Sequence, residues 1–180
     1  MKLLVGICVL ATACSSVVPG QETSVPARWL GTWTLNLQES KIGPIWGPGV
    51  PESGLTVIGQ TAKIEVIAGR IKVTGDTVLS QLGATHEAYD VDLDRGESVI
   101  PGGSKISFKR IDDATFDIVV SVNNKALGNH VGENRFVFSA DGKTLTETKT
   151  HTEREVAPDG SDPTKSAVIR SSTSVLVFHR

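Results

Sequence analysis

The chain has 180 residues, a formal net charge of −2 and two cysteines, Cys8 and Cys14. A chain of this length can bury one hydrophobic core. It contains no basic block and no run that mixes basic with aromatic residues, which argues against nucleic-acid binding. Because no cysteine follows residue 14, a folded domain beyond that point has neither an internal disulfide nor a cysteine-ligated zinc site.

The N-terminal segment 1–13 has the features of a secretory signal peptide. Lys2 precedes an apolar stretch over residues 3–11 that is too short to span a bilayer. Small residues then precede Cys14 in a pattern that resembles a bacterial lipobox, and lipidation of Cys14 is favoured over ordinary cleavage. Because an acyl chain there would anchor the protein to a membrane, we expect it in the bacterial cell envelope (outer membrane or periplasm), with secretion as the alternative. Residues 14–27 are predicted to be a flexible tether, and residues 28–180 a single domain.

From Trp29 onward, short alternating runs are separated by turn residues, which is typical of antiparallel β structure. The predicted strands cover residues 32–37, 54–58, 63–68, 70–74, 86–93, 105–110, 115–122, 133–139, 144–150 and 167–179. Ala68-Gly69-Arg70 and Asp141-Gly142 predict tight hairpins between neighbouring runs. Closing such a meander removes its exposed edges, so we predict an all-β, antiparallel up-and-down barrel of about eight to ten strands. A β-sandwich is the alternative.

The segment 38–52 differs from these turns because apolar Ile42, Ile45 and Trp46 lie among its glycines and prolines. Apolar residues in such a loop must be buried somewhere, and the mouth of a barrel is the expected place. The segment is either a plug that covers the core or a lid over a ligand.

Two of the predicted strands carry titratable side chains. Alternation places Glu87 and Tyr89 on the more apolar face of one strand, which is predicted to face inward, and His86 on the other face. Tyr89 then either binds a ligand or bonds to backbone groups in the core. On a later strand, His151 shares a polar face with Lys149, and an exposed hairpin arm is favoured over the lining of a wet interior. No metal site is predicted, since only a convergence of distant histidines would form one.

Gly31-Thr32-Trp33 resembles the Gly-x-Trp motif that opens lipocalin-type barrels, which usually hold one small ligand. In lipocalins a late-strand arginine lies over this tryptophan. The resemblance therefore implies that Arg135 packs over Trp33 and, with Gly31, closes one end of the barrel, with Arg170 and Arg180 as the alternatives.

Three blocks, at residues 31–44, 109–116 and 139–146, are similar to a group of uncharacterised secreted bacterial proteins that is regarded as lipocalin-like. This resemblance supports the barrel and implies no catalytic residues.

The favoured functional hypothesis is a secreted or lipid-anchored barrel that binds a small hydrophobic molecule, without a cofactor. The predicted lining residues are Ile45, Trp46, Tyr89, Phe108, Phe116 and Phe136. Phosphate loops, nucleophile elbows and metalloprotease motifs are absent from the sequence, so an enzyme is less favoured. The alternatives are an isomerase or cyclase that uses Tyr89, His86 or Glu87, and a structural envelope protein whose barrel is filled.

Overall fold

In the part of the chain that the structure describes, ten antiparallel strands form a single sheet. The structure is a computed structural model and describes residues 25–45, 55–100, 104–124, 128–157 and 163–180. The strands are β1 (Gly31–Leu35), β2 (Val57–Ile67), β3 (Arg70–Leu79), β4 (Gly83–Asp92), β5 (Glu97–Ile100), β6 (Ser104–Arg110), β7 (Thr115–Asn124), β8 (Gly128–Phe138), β9 (Thr144–Arg154) and β10 (Val168–His179).

The sheet curls into a nearly closed barrel. Its strand order is β4-β3-β2-β1-β10-β9-β8-β7-β6-β5, so that β4 and β5, which follow one another in the chain, lie at the two edges. Among the described residues no hydrogen-bonded ladder joins these edges, but Arg70 Nη2 on β3 donates to Ser98 Oγ on β5 across the seam, at 3.4 Å. The predicted up-and-down barrel is confirmed.

The predicted strands lie where the structure has strands, but several of them differ in length from the observed ones. The runs 54–58 and 63–68 contribute to one strand, β2, whose register shifts between Val57 and Gly59. Both β3 and β9 extend four or five residues further than their apolar alternation indicates, to Leu79 and Arg154. β5 is absent from the predicted set because four residues carry too little periodicity to be recognised.

Aromatic side chains fill one end of the barrel, which we call the closed end. Trp29, in the short 3₁₀ helix Ala27–Trp29, is fully buried, and its ring centre lies 4.7 Å from that of Phe116 and 5.9 Å from that of Phe138. Its Nε1 donates a hydrogen bond to the backbone carbonyl of Asp113, at 2.9 Å. Burial of such rings is worth several kcal/mol on the scale of about 25 cal/mol per Å². This end of the interior is therefore occupied by protein.

Trp33 closes the same end, but it lies beneath Arg180 and not beneath Arg135. The guanidinium carbon of Arg180 is 4.3 Å from the centre of the Trp33 ring. Arg135 lies on the outer face of β8 and pairs with Asp117, at 2.9 Å. The implied contact of Arg135 is thus corrected: Phe136 occupies the inner face, and strand alternation sends its neighbour outward.

Several predictions concern residues outside the described ranges. The signal peptide 1–13, lipidation at Cys14 and the position of Trp46 all belong to this group. Of the predicted tether, the structure describes residues 25–27, where Val25 packs against the core. Within the described ranges, none of the helical segments has the length and apolar character needed to cross a membrane.

Candidate functional site

A cavity of about 250 Å³ lies at the other end of the barrel, which we call the open end. Inward-facing side chains of β2, β3, β4, β9 and β10 line it, together with the segment that follows β1. Its apolar lining residues are Ile42, Pro44, Ile45, Val57, Leu79 and Leu176, and its polar lining residues are Gln60, Thr77, Thr85, Glu87, Lys149, His151, Ser172 and Ser174. The cavity thus combines an apolar wall with ionisable groups.

The interior changes from apolar to polar along the barrel axis. From the closed to the open end, the inward positions are Leu145, Glu147, Lys149 and His151 on β9, Val91, Tyr89, Glu87 and Thr85 on β4, and Phe178, Leu176, Ser174 and Ser172 on β10. Successive inward residues of a strand are about 7 Å apart. Each of these strands therefore passes from core to cavity within two or three inward positions.

Lys149 and Glu87 form an ion pair inside the barrel. Lys149 Nζ donates to both carboxylate oxygens of Glu87, at 2.8 and 2.6 Å, and the Tyr89 hydroxyl donates to the same carboxylate at 3.2 Å. Side-chain exposures of 27% for Lys149 and 45% for Glu87 are accounted for by the cavity that both residues line. Together with Glu147, these side chains form what we call the polar layer.

The ionisation of the pair is set by its partners. Burial alone would raise the pKa of Glu87, yet the charge and hydrogen bonds of Lys149 hold it below the ordinary value. Burial would likewise lower the pKa of Lys149, but Tyr89, Glu87 and Glu147 around it raise it. Burial also raises the pKa of Tyr89. At neutral pH the pair is therefore charged and the phenol is neutral.

Glu147 is the most deeply buried acid of the polar layer, with 4% of its surface exposed. Its inward position on β9 is paired in register with Leu176 on β10, a residue of the cavity wall. Burial raises the pKa of Glu147 to about 7, against the lowering effect of Lys149. No hydrogen bond from its carboxyl group to another described residue is present, so this carboxyl exchanges its proton near neutral pH without a fixed partner.

The histidines separate into an inner pair and outer residues. His151 lines the cavity, and the centre of its ring lies 5.4 Å from that of His130. Burial, followed by the nearby His130 and Lys149, lowers the pKa of His151, so it is neutral at pH 7. His86 points outward and bonds to Asp76 at 2.7 Å. Across the described ranges, no three histidine, cysteine, aspartate or glutamate side chains converge as a metal site would require.

The segment after β1 is fastened along β10 at the mouth of the cavity. The backbone amides and carbonyls of Lys41 and Val175 bond reciprocally, at 2.8 and 2.7 Å, and the Gly43 amide donates to Ser174 Oγ at 3.0 Å. A Cβ at position 43 would lie 2.5 Å from the carbonyl oxygen of Thr173, so only glycine permits this close approach. The segment thereby carries Ile42 and Ile45 to the cavity wall.

Comparisons with known proteins give a structural likeness. No family model matches the chain, and no curated protein matches it. The chain is similar to a solved structure titled "Structure of EF1p2_mFAP2b bound to DFHBI", with 11% sequence identity and a TM-score of 0.43. The alignment covers 85% of this chain and 94% of that one.

The structure places the predicted lining residues in two different regions. Ile45 lines the cavity, whereas Tyr89 faces inward without lining it and donates to Glu87, a lining residue. Phe116 and Phe136 are fully buried with their rings stacked 4.6 Å apart, and Phe108 packs against the same aromatic cluster. These three phenylalanines therefore belong to the closed end and not to the cavity, because their strands bring them to the level of Trp29.

The polar face of β9 is the feature that sequence reasoning placed on the wrong side. The favoured exposed arm is corrected: Glu147 is buried, and Lys149 and His151 line the cavity, which is the alternative of a wet interior. The available signal was the continuous alternation from Leu145 into Glu147 on one strand. Of the three residues considered for catalysis, Glu87 lines the cavity, Tyr89 contacts it, and His86 faces outward.

Proposed function

We propose that the protein binds a small amphipathic molecule in the open-end cavity. The observation that carries this proposal is the ion pair of Glu87 and Lys149 facing an apolar wall within one cavity. An apolar body would pack on Ile42, Ile45 and Leu79, while a polar group would bond to the ion pair in place of solvent. A purely hydrophobic ligand would leave those charges unsolvated, which costs free energy.

The size of the cavity supports a small ligand. Its volume of about 250 Å³ is below the range of about 300–1,000 Å³ that is typical of sites for drug-sized molecules. The inward positions around it are small side chains, such as Ser172 and Ser174, and a Cβ at Gly132 would meet no atom within 4 Å. A barrel that served only as a structural unit would be expected to fill this space with bulky side chains.

A cavity-filling variant tests the proposal. Ser172→Phe places a ring in the cavity, whereas Thr173→Phe places the same ring on the outer, exposed face of the same strand. We expect native mass spectrometry of the protein purified from its source to show a bound small molecule in the wild type and in Thr173→Phe. The molecule should be lost from Ser172→Phe. Equal occupancy in all three proteins, or an empty wild type that binds no amphipathic compound, contradicts the proposal.

A proton-transfer enzyme is the second candidate function, and the specific observation in its favour is Glu147. A buried carboxyl with a pKa of about 7 can accept and return a proton at neutral pH. The test is exchange of carbon-bound hydrogen of the bound molecule in D₂O, followed by NMR. Catalysis predicts exchange in the wild type and its loss in Glu147→Gln, whereas a pure binding protein shows no exchange in either.

We also propose that the barrel is attached to the bacterial envelope through a lipid on Cys14. The support is the short apolar segment and the small residues before this cysteine. Mass spectrometry of the mature N-terminus should detect a diacylglycerol-modified Cys14. Cys14→Ser should move the protein from the membrane fraction to the soluble fraction, and an unmodified N-terminus further along the chain contradicts the proposal.

A further inference from the structure

The polar layer contains more acid than base. Glu87 and Glu147 contribute two carboxyl groups, and among the described residues that line the cavity Lys149 is the only lysine or arginine. Lys149 is already engaged, since its ammonium contacts both oxygens of Glu87. His151 supplies no compensating charge at neutral pH, because burial keeps it neutral. One carboxyl group of the layer therefore has no cationic partner of its own.

That carboxyl group is Glu147. It is more than nine-tenths buried, points inward from β9, and accepts no hydrogen bond from any described residue. Leu176, its register partner, and Lys149, the next inward residue on β9, both line the cavity, so Glu147 lies directly beneath the lining residues. Buried polar groups in folded proteins are normally hydrogen-bonded, and the described residues supply no donor to Glu147. A ligand could supply that donor.

An anionic ligand fits this part of the cavity poorly. It would have to draw Lys149 away from Glu87, and it would then lie beside two carboxyl groups. Like charges in a site of low dielectric constant repel strongly, so the complex would require proton uptake. A cationic ligand is favoured instead, because the Glu147 carboxyl can accept a hydrogen bond that no described residue donates.

We propose that the cavity selects a ligand that carries a protonated amine, whose ammonium group donates to Glu147 beside the Glu87–Lys149 ion pair. The apolar part of such an alkyl amine would extend toward Ile45 and Leu79 at the mouth. This inference rests on the proposed function and adds the chemical class of the ligand. A charge-assisted hydrogen bond in such a site is about twice as strong as a neutral one, so it discriminates between head groups.

The amine preference depends on pH. The charged and titratable groups around Glu147 are Lys149 and His151 on its own strand, Glu87 and Tyr89 from β4, and His130 beside His151 from β8. The adjacent inward residues on β8 and β10, Phe136 and Leu176, are uncharged. Because Glu147 carries a proton below about pH 7, an ammonium group should bind more tightly as the pH rises through that value.

The test compares three compounds of equal chain length, n-hexylamine, n-hexanol and n-hexanoate, by ligand-observed NMR titration at pH 8 and pH 5.5. At pH 8 we expect the amine to bind about tenfold more tightly than the alcohol, and the acid to bind most weakly. At pH 5.5 the advantage of the amine should shrink severalfold. In Glu147→Gln it should be small at both pH values, whereas Glu133→Gln, which alters an exposed outward glutamate on β8, should behave like the wild type.

The outcomes separate the two proposals. If the alcohol or the acid binds in the cavity at least as well as the amine, the ligand class is overturned and the proposed function stands. The same holds if the amine preference survives in Glu147→Gln. If none of the three compounds binds in the cavity of the wild type, the proposed function fails, and the inference that rests on it fails too.

Discussion

Arg180, which directly follows β10, lies over the ring of Trp33 on β1. Its guanidinium carbon is 4.3 Å from the ring centre, and its Nη2 donates to the backbone carbonyls of Arg28 and Leu30. Gly31 lies beside this side chain, with a φ of +128° that favours glycine; a Cβ there would be in ordinary contact with Arg180, 3.6 Å from its Nη2. One side chain thus combines a cation–π contact with two hydrogen bonds, and it closes the end of the barrel opposite the cavity.

Replacing Arg180 should destabilise the protein more than replacing Arg135, the arginine that the resemblance to lipocalins implied as the partner of Trp33. For Arg180→Ala we expect a loss of about 1–3 kcal/mol in the free energy of unfolding, because the cation–π contact and both hydrogen bonds disappear. For Arg135→Ala we expect a clearly smaller loss, since its pair with Asp117 is on the surface. Urea unfolding followed by tryptophan fluorescence measures both, and equal losses would contradict the assignment.

Removing Lys149 should destabilise the protein, because Glu87 and Glu147 would then repel each other without a compensating positive charge. We expect Lys149→Met to lose about 1–3 kcal/mol at pH 8, less than for a fully buried pair, because the Glu87 side chain is 45% exposed and its charge is screened by solvent. The loss should shrink toward pH 4.5 as the carboxyl groups take up protons. Lys149→Met/Glu87→Gln should recover most of it, and a double variant as unstable as the single one would show that the charges are not the cause.

Glu147 should make the stability of the protein fall as the pH rises from about 4.5 to about 7. Its pKa is raised from 4.5 to about 7 on folding, so over this window the unfolded chain releases a proton that the folded protein keeps. The total effect is about 3 kcal/mol, and the curve is flat above the window. Glu147→Gln removes it, so the stability of the variant relative to the wild type should increase between pH 4.5 and pH 7.

Differences between variant and wild type cancel the titration of groups that do not interact with Glu147. Glu87 interacts with Glu147, and its lowered pKa acts in the opposite direction, so the Glu147→Gln difference is also measured in the Glu87→Gln background. Chemical denaturation at pH 4.5, 6, 7 and 8 provides the measurement. Glu133→Gln serves as the surface control and should track the wild type. A pH-independent difference for Glu147→Gln would mean that this carboxyl titrates normally in the folded protein.

Gly43→Ala should loosen the segment that follows β1 and forms part of the cavity wall. The added Cβ would come within 2.5 Å of the Thr173 carbonyl oxygen, so the segment must shift and the Gly43–Ser174 hydrogen bond is lost. We expect faster hydrogen exchange of the Lys41 amide and ligand binding weakened about tenfold. Gly59→Ala is the matched control, because a Cβ there meets nothing within 4 Å. Unchanged exchange at Lys41 in the Gly43 variant would exclude this role.

The architecture was accessible from the sequence because alternation and turn chemistry are local signals. Asp141-Gly142 marks the β8–β9 hairpin, where Gly142 has a φ of +66°, and Ala68-Gly69 marks β2–β3. Trp33 of the Gly31-Thr32-Trp33 motif is buried beside Phe138 at the closed end. The partner of Trp33 is set by which strand end reaches it in three dimensions, and no local pattern distinguishes Arg180 from Arg135 in that respect.

The site was less accessible because burial of a polar strand face is a long-range property. In the sequence, Glu147 and Lys149 look like residues of a solvent-exposed strand face. Their inward position becomes clear only in the folded barrel, where Glu87, 62 residues away from Lys149, pairs with Lys149. The aromatic residues were predicted to line a ligand cavity, but the rings of Phe116 and Phe136 stack on each other in the core. Large apolar side chains favour the filled end of a barrel, whereas a cavity is found where small and polar residues face inward.

The central claim, that the open end holds a ligand and the closed end does not, can be tested by methyl NMR. The measurement is the change in methyl shifts, with intermolecular NOEs, when n-hexylamine is added to the wild type at pH 8. We predict shifts and NOEs at the cavity methyl groups of Val57, Leu79 and Leu176, and unchanged methyl groups at Ile71 and Leu145 near the closed end. NOEs only to Ile71 and Leu145 or to outward-facing methyl groups, or no response at saturating amine, would contradict it.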